Sequence, residues 1–272
     1  MSNIPEITLA PGVIGQIGPV SVTNAMVSTF VVSGLLIIFA FIVRRKLSLK
    51  PGRLQMFFEI LFNLILDKMV IIFGDEKRAR KVFPIIFTIF LFIIFANYFT
   101  LLPIVESVVT GDGTHVLTTP TAHYSLTIAL AILMVGAAHI ISISISPLRY
   151  IGSFIKLAPV WKAIKNLSPS QFAMSLIDVF LGFMDIIGEV AKLISVSTRL
   201  FGNMFAGGVI ITIVSSLSVY TQFAAPLPFM VLGLLTGFVQ AFVFSMLGII
   251  FIGGLVGNVL PETSEASVKE NN

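Results

Sequence analysis

The chain has 272 residues and a formal net charge of +4; hydrophobic residues make up 56% of it, and Asp, Glu, Lys and Arg together only 11%. A water-facing surface needs about one-quarter charged residues, so a soluble domain, a disordered chain and a small disulfide scaffold are excluded and a polytopic membrane protein is left. There is no Cys, which removes thiol redox chemistry and thiolate metal sites.

Residues 1–43 contain neither Lys nor Arg. The first apolar segment therefore lacks the positive n-region of a cleavable signal peptide, and no transit-peptide pattern precedes it. A bacterial plasma membrane is expected, an organelle inner membrane less so. A membrane span needs about 20 apolar residues. Residues 25–43 and 82–102 are uncharged runs of this kind, and 122–145 is a third, interrupted only by His123 and His139. Ten Lys and Arg lie between the first two runs, and Arg149, Lys156, Lys162 and Lys165 follow the third. The tail at 1–24, the 103–121 loop and the 217–227 connection carry none. By the positive-inside rule the N-terminus is outside, and the 44–81 and 147–168 loops and the acidic tail at 259–272 are cytoplasmic. Positive charge distributed in this way marks topology rather than a nucleic-acid surface.

Between the first two spans, Gln55, Glu59, Asn63 and Asp67 recur every four residues, one polar stripe on a helix. Positive charge flanks the stretch on both sides, so an amphipathic helix over about 53–73 is expected to lie at the cytoplasmic interface rather than cross, with a re-entrant hairpin as the alternative. Further on, Ser168-Pro169-Ser170-Gln171 reads as a capping box with Pro at the first helical position. Apolar sequence then continues to 217 without another proline. A continuous helix of that length would reach about 70 Å, too long for an upright span. It either tilts strongly or breaks near Gly202, Gly207 and Gly208. Residues 226–258 are also too long to stand upright, and a hairpin of two long tilted helices is expected. The fold class is all-α, with one membrane domain over 25–258.

The 169–217 segment contains Asp178, Asp185, Glu189, Lys192 and Arg199, with Asn203 one turn on. With Arg199 at zero on a wheel of about 100° per residue, Lys192 falls at about 20°, Asp185 and Asn203 at about 40°, Asp178 at about 60° and Glu189 at about 80°. The charges thus share one face. A charge at mid-membrane costs at least about 2.5–3.5 kcal/mol, so this stripe must meet water, a partner or a cavity. Asp178 sits close enough to the cytoplasmic end to be merely solvated. Lys192 is either a counter-ion for Asp185 or Glu189 or a snorkelling side chain. Arg199 cannot shed its proton, so burial cannot neutralise it. It stands in STRLFGNMFAGG, where Gly202, Ala206, Gly207 and Gly208 let another helix approach closely. Gln240, in TGFVQAFVFSMLG, is placed to hydrogen-bond across to Arg199 or Asn203, either for transport or as a plain interhelical clip.

The run RLFGNMFAG at 199–207 resembles the signature of subunit a of the rotary F-type ATP synthase, and VQAFVF at 239–244 is similar to that family's last-helix motif. PGRLQMFFE at 51–59, FPIIFTIFLFIIFANYFTLLP at 83–103 and PTAHYSLT at 120–127 follow the same family in the same order. The resemblance implies one upright helix, an interfacial second, a transmembrane hairpin, and two long tilted helices against a rotor ring. It implies a non-catalytic stator subunit with two half-channels that pass protons or sodium ions to the ring carboxylates. Arg199 would face each passing carboxylate, Asn203 would match the inlet-side asparagine, and Gln240 would match the glutamine supporting the Arg. Asp185 matches a position often acidic in the family, and Glu189 lies one turn beyond it; both point to ion exit on the cytoplasmic side. Implied partners are the ring of small helical-hairpin (c-type) subunits, peripheral-stalk (b-type) subunits, the F1 sector indirectly and the bilayer, with no cofactor and no nucleic acid.

The sequence departs from the family at two positions that commonly titrate in the outer half-channel, which here are Gly208 and Gly233. The PTA stretch is followed by His123 where Asp is common. His titrates near neutrality, so His123 is either an outer-channel relay or a solvated interfacial residue, and water alone is the other candidate for that path. His139, deeper in the same helix, is expected to be packed or hydrogen-bonded. The alternative class is a stand-alone secondary transporter or channel, but the inverted repeats typical of such proteins are not found. Gly-rich phosphate loops, metal clusters and nucleophile elbows are also lacking.

Overall fold

The computed structural model describes residues 12–45, 52–99, 116–148, 150, 169–216 and 225–259. Ser168, the proposed cap, and the acidic tail lie outside them. The described chain forms a short hairpin, β1 (Val13–Ile17) and β2 (Val20–Thr23), then six helices. These are α1 (Asn24–Arg45), α2 (Arg53–Phe73), α3 (Glu76–Phe99), α4 (Tyr124–Ile145), α5 (Pro169–Ser216) and α6 (Pro226–Val259), with a 3-10 turn at Pro120–Ala122 before α4. Among the described residues, Asn24–Arg45, Glu76–Phe99, Tyr124–Ile145 and Pro226–Gly257 are long and apolar enough to cross a membrane. The protein is a multi-pass, helical membrane protein. Helix α5 runs for 48 residues through Gly202, Gly207 and Gly208 without interruption. Of the two outcomes expected for this segment, a break does not occur.

The stretch expected as a plain tail contains the antiparallel hairpin, with Ile17 opposite Val20. Gly18 takes a positive φ of 62°, which a residue with a Cβ rarely adopts. The Asn24 N–H donates to the Gly12 carbonyl at 2.9 Å, tying the hairpin to the start of α1. Helix α2 ends at Gly74, where φ is 63° and the N–H donates to the Val70 carbonyl at 2.9 Å. Asp75 then starts α3 by accepting from the Lys77 N–H at 2.9 Å. This is a tight corner between two helices, made by one glycine and one capping carboxylate.

By contact density the chain divides into two units, Met1–Leu130 with Val196–Met246, and Ala131–Ser195 with Leu247–Asn272. In the first, Ile65 and Met69 of α2, Ile86, Phe90 and Ile93 of α3 and Phe244 of α6 are fully buried. Phenylalanine rings hold the first three helices together. Phe39 of α1 meets Phe58 of α2 at 4.8 Å and Phe95 of α3 at 5.2 Å, and Phe62 of α2 meets Phe83 of α3 at 4.2 Å between centroids. In the second unit, Met134 and Ala138 of α4 and Ile249 and Ile252 of α6 are buried.

Candidate functional site

In the first unit, α5 buries Val196, Ser197 and Leu200 and leaves Arg199 exposed. Ala206, Ile210 and Ile213 are uncovered as well. This face is largely apolar around the guanidinium, with Thr198 exposed beside it and Asn203 one turn on. Among the described residues, no hydrogen bond or ion pair ends on Arg199. A Cβ added at Gly202, Gly207 or Gly208 would meet nothing within 4 Å. The small residues around Arg199 therefore serve no close packing among the described residues.

Beside Arg199, bordered by Ala206 and Ile210 of the same face, is a cavity of about 190 Å³. Its lining is mostly apolar; Asn97, Thr119, Asn203 and Thr236 add polar atoms to it, and Gly208 and Gly233 line it with no side chain at all. The two positions where the family commonly titrates thus both face this space. Asn97, which sequence reasoning did not single out, is 2% exposed and organises one wall. Its Nδ2 donates to the Gly237 carbonyl at 3.1 Å and its Oδ1 accepts from the Thr121 hydroxyl at 2.9 Å. One amide therefore joins α3, α6 and the 3-10 turn. The signal was available: Asn97 is a lone amide in an apolar run, as Gln240 is.

Gln240 is 7% exposed on α6, and no hydrogen bond joins it to Arg199 or Asn203. The bridge expected from the sequence is not formed, because Arg199 projects from the uncovered side of α5 while Gln240 is packed inside. His123 is also buried, at 8% exposure, rather than solvated. Its Nε2 lies 3.0 Å from the Thr118 hydroxyl, and its buried Nδ1 has no partner among the described residues. Thr118 is itself fixed, its N–H donating to Ser28 Oγ of α1 at 2.9 Å.

The second unit holds the remaining charges. Glu189 of α5 accepts from Lys192 Nζ at 2.6 Å, and this ammonium also lies 5.3 Å from the centre of the Phe251 ring of α6. Of the two readings for Lys192, counter-ion and snorkel, the contact is that of a counter-ion. The other Glu189 oxygen lies 3.9 Å from His139 Nε2 of α4, and His139 Nδ1 is 2.8 Å from the Tyr150 hydroxyl. Burial, with the Glu189 charge adding to it, raises the Tyr150 phenol above its ordinary range, so it keeps its proton near neutrality. Asp185 is exposed. The Asp178 side chain lies outside what is described. Among the described residues, no group of three or more His, Asp or Glu is arranged to hold a metal ion.

The profile of the ATP synthase A chain family matches residues 26–253. The chain is 33% identical to ATP synthase subunit a of Syntrophobacter fumaroxidans over 228 residues, covering 84% of this chain and 82% of that one. It is 32% identical to ATP synthase subunit a of Trichlorobacter lovleyi over 231 residues, 85% and 86% of the two chains. Against ATP synthase subunit a of Desulfosudis oleivorans it is 34% identical over 229 residues, 84% and 86% of the two. A multi-pass helical protein with the Arg199 cation exposed on a largely apolar face, matched along most of its length in this way, belongs to the ATP synthase A chain family.

Proposed function

We propose that this chain is the non-catalytic, ion-translocating stator subunit of a rotary ATP synthase in a bacterial plasma membrane. It provides two half-channels to the carboxylates of a rotor ring of small helical hairpins. The carrying observation is the guanidinium of Arg199, exposed on an otherwise apolar stretch of α5 beside glycines that nothing described packs against. Lipid alone would make such a charge expensive, and an acidic neighbour would make it useful.

The mechanism follows from elementary electrostatics. A cation within about 4–6 Å lowers a carboxyl pKa by about 1–3 units. A protonated rotor acid that arrives opposite Arg199 therefore releases its proton, and one that leaves takes up another. The fixed positive charge also repels protons and keeps the two half-channels apart. Each elementary charge moved across 100 mV releases about 2.3 kcal/mol.

On the outer side, Asn203 and the polar atoms that Asn97, Thr119 and Thr236 add to the Gly208–Gly233 cavity support a water-filled path, with His123 as a relay beside it. On the cytoplasmic side, Asp185 and Glu189 receive the ion, with Lys192 holding the Glu189 carboxylate in place. Gln240 supports Arg199 once the ring is in place. The N-terminus is outside and the C-terminus inside, α2 lies along the cytoplasmic interface, α5 and α6 tilt against the ring, and peripheral-stalk subunits and, through them, F1 complete the assembly.

The test is Arg199→Ala in the assembled complex in vesicles. Gradient-driven ATP synthesis falls to background while ATP hydrolysis by the soluble sector persists. Coupled synthesis at the unsubstituted rate would refute the role.

A further inference from the structure

We infer that Glu189, His139 and Tyr150 form a proton relay on the cytoplasmic side of the channel, which makes His139 and Tyr150 translocating residues and the proton the ion that leaves here. The inference rests on the stator reading above. It is carried by a row of contacts within one compact unit, drawn from α4, α5 and the helical Tyr150 that follows α4. Glu189 Oε2 lies 3.9 Å from His139 Nε2, and His139 Nδ1 lies 2.8 Å from Tyr150 Oη. The first gap is closed by one water or a small rotation of either side chain. Tyr150 is held in place by its own backbone, its N–H donating to the Ser146 carbonyl at 3.0 Å.

The groups are chemically matched to the task. The Glu189 side chain is 15% exposed and the His139 side chain 25%, so both are partly withdrawn from water without being sealed off. Lys192 Nζ lies 2.6 Å from the other Glu189 oxygen and holds the carboxylate in place. A carboxyl protonated at Glu189 gives its proton to His139 Nε2. His139 then passes its Nδ1 proton to the Tyr150 oxygen, while Tyr150 gives its own hydroxyl proton to water. The imidazole is left as the other tautomer, and rotation of the ring or the reverse passage restores it. No charge is lost and no co-reactant is required. A sodium ion cannot travel by this route, because no step exchanges anything but a proton.

The experiment uses the assembled complex in inverted vesicles and measures ATP-driven proton pumping and gradient-driven synthesis in Glu189→Gln, His139→Ala and Tyr150→Phe, at equal amounts of assembled complex. Each substitution is expected to lower both rates severalfold. The double variant His139→Ala/Tyr150→Phe should be no slower than His139→Ala alone, since a relay is broken only once. Added imidazole should partly restore His139→Ala, and Glu189→Asp should retain more activity than Glu189→Gln. Additive losses, no imidazole rescue, or unchanged rates would overturn the relay, as would synthesis driven by sodium without a proton gradient. Arg199→Ala run in parallel separates the two ideas. If it stays coupled, the stator reading has failed; if it is dead while the relay variants behave like the unsubstituted protein, only the relay has failed.

Discussion

Gly237→Ala probes the polar joint between α3, α6 and the 3-10 turn. The added Cβ would lie 3.2 Å from Asn97 Cβ, 3.6 Å from Asn97 Nδ2 and 3.6 Å from Tyr98 Cε1. Carbon atoms settle at about 3.5–4.0 Å, so the helices must part by a few tenths of an ångström at this point. Asn97 cannot simply swing away. Its amide is held by the carbonyl of Gly237 itself and by Thr121, and backing off stretches the 3.1 Å bond toward its limit. Overpacking costs about 1–3 kcal/mol, and loss of one hydrogen bond about 1 kcal/mol more. Against this, replacing Gly with Ala in a helix returns about 1 kcal/mol. The net expectation is destabilisation of about 1–3 kcal/mol. Gly254→Ala is the control on the same helix, because its Cβ would meet nothing within 4 Å; it should be neutral or more stable. Thermal unfolding of the detergent-solubilised protein reads both. If Gly237→Ala melts at or above the temperature of Gly254→Ala, the close approach of α6 to Asn97 is not what keeps position 237 without a side chain.

Asn97→Ala, which deletes two buried hydrogen bonds, should lower stability by about 1–3 kcal/mol in the same melt; an unchanged melting temperature would deny it a structural role. Gly208→Glu places a carboxylate in open space beside the cavity and should assemble normally, with outer-side proton uptake altered in rate or pH profile; failure to assemble would show that the space is not available. His123→Ala should slow uptake from the outer side if His123 relays protons, and unchanged uptake would return it to a packing role with Thr118. Ala206→Cys should cross-link to a Cys on the outer helix of a rotor hairpin; cross-linking only from the buried side, at Val196, would reverse the facing assigned to α5.

Much of the architecture is readable from the residues because punctuation and charge are local properties. Pro169 and Pro226 open α5 and α6 where a ring-fixed φ and a missing N–H cost a helix least. Gly74 closes α2 because its left-handed backbone needs no Cβ. The hairpin at 13–23 was also signalled, by β-branched residues on either side of Gly18-Pro19, but an uncharged segment ahead of a span reads first as a tail. What spacing cannot give is pairing between helices. A wheel sets Glu189 on the face of Arg199, yet it holds no record of His139, fifty residues earlier, or of the hydroxyl of Tyr150 beyond the end of α4. Asn97 and Gln240 look alike in sequence, and only the fold shows that the first ties three elements together.

The phenylalanine contacts around α2 have a mechanical meaning. Any rotor that turns against this chain delivers a sideways push at each step, of the order of 2.3 kcal/mol per charge at 100 mV. Aromatic pairs contribute about 0.5–1.5 kcal/mol each beyond the area they bury. Phe58 against Phe39, and Phe62 against Phe83 and Phe87, set three such contacts along one helix. Together they match a single step of the motor, and flat rings with two torsions have little slack to absorb recoil. On the stator reading proposed above, helix α2 is in effect a keel, and thinning its rings to Leu would let torque leak into flexing.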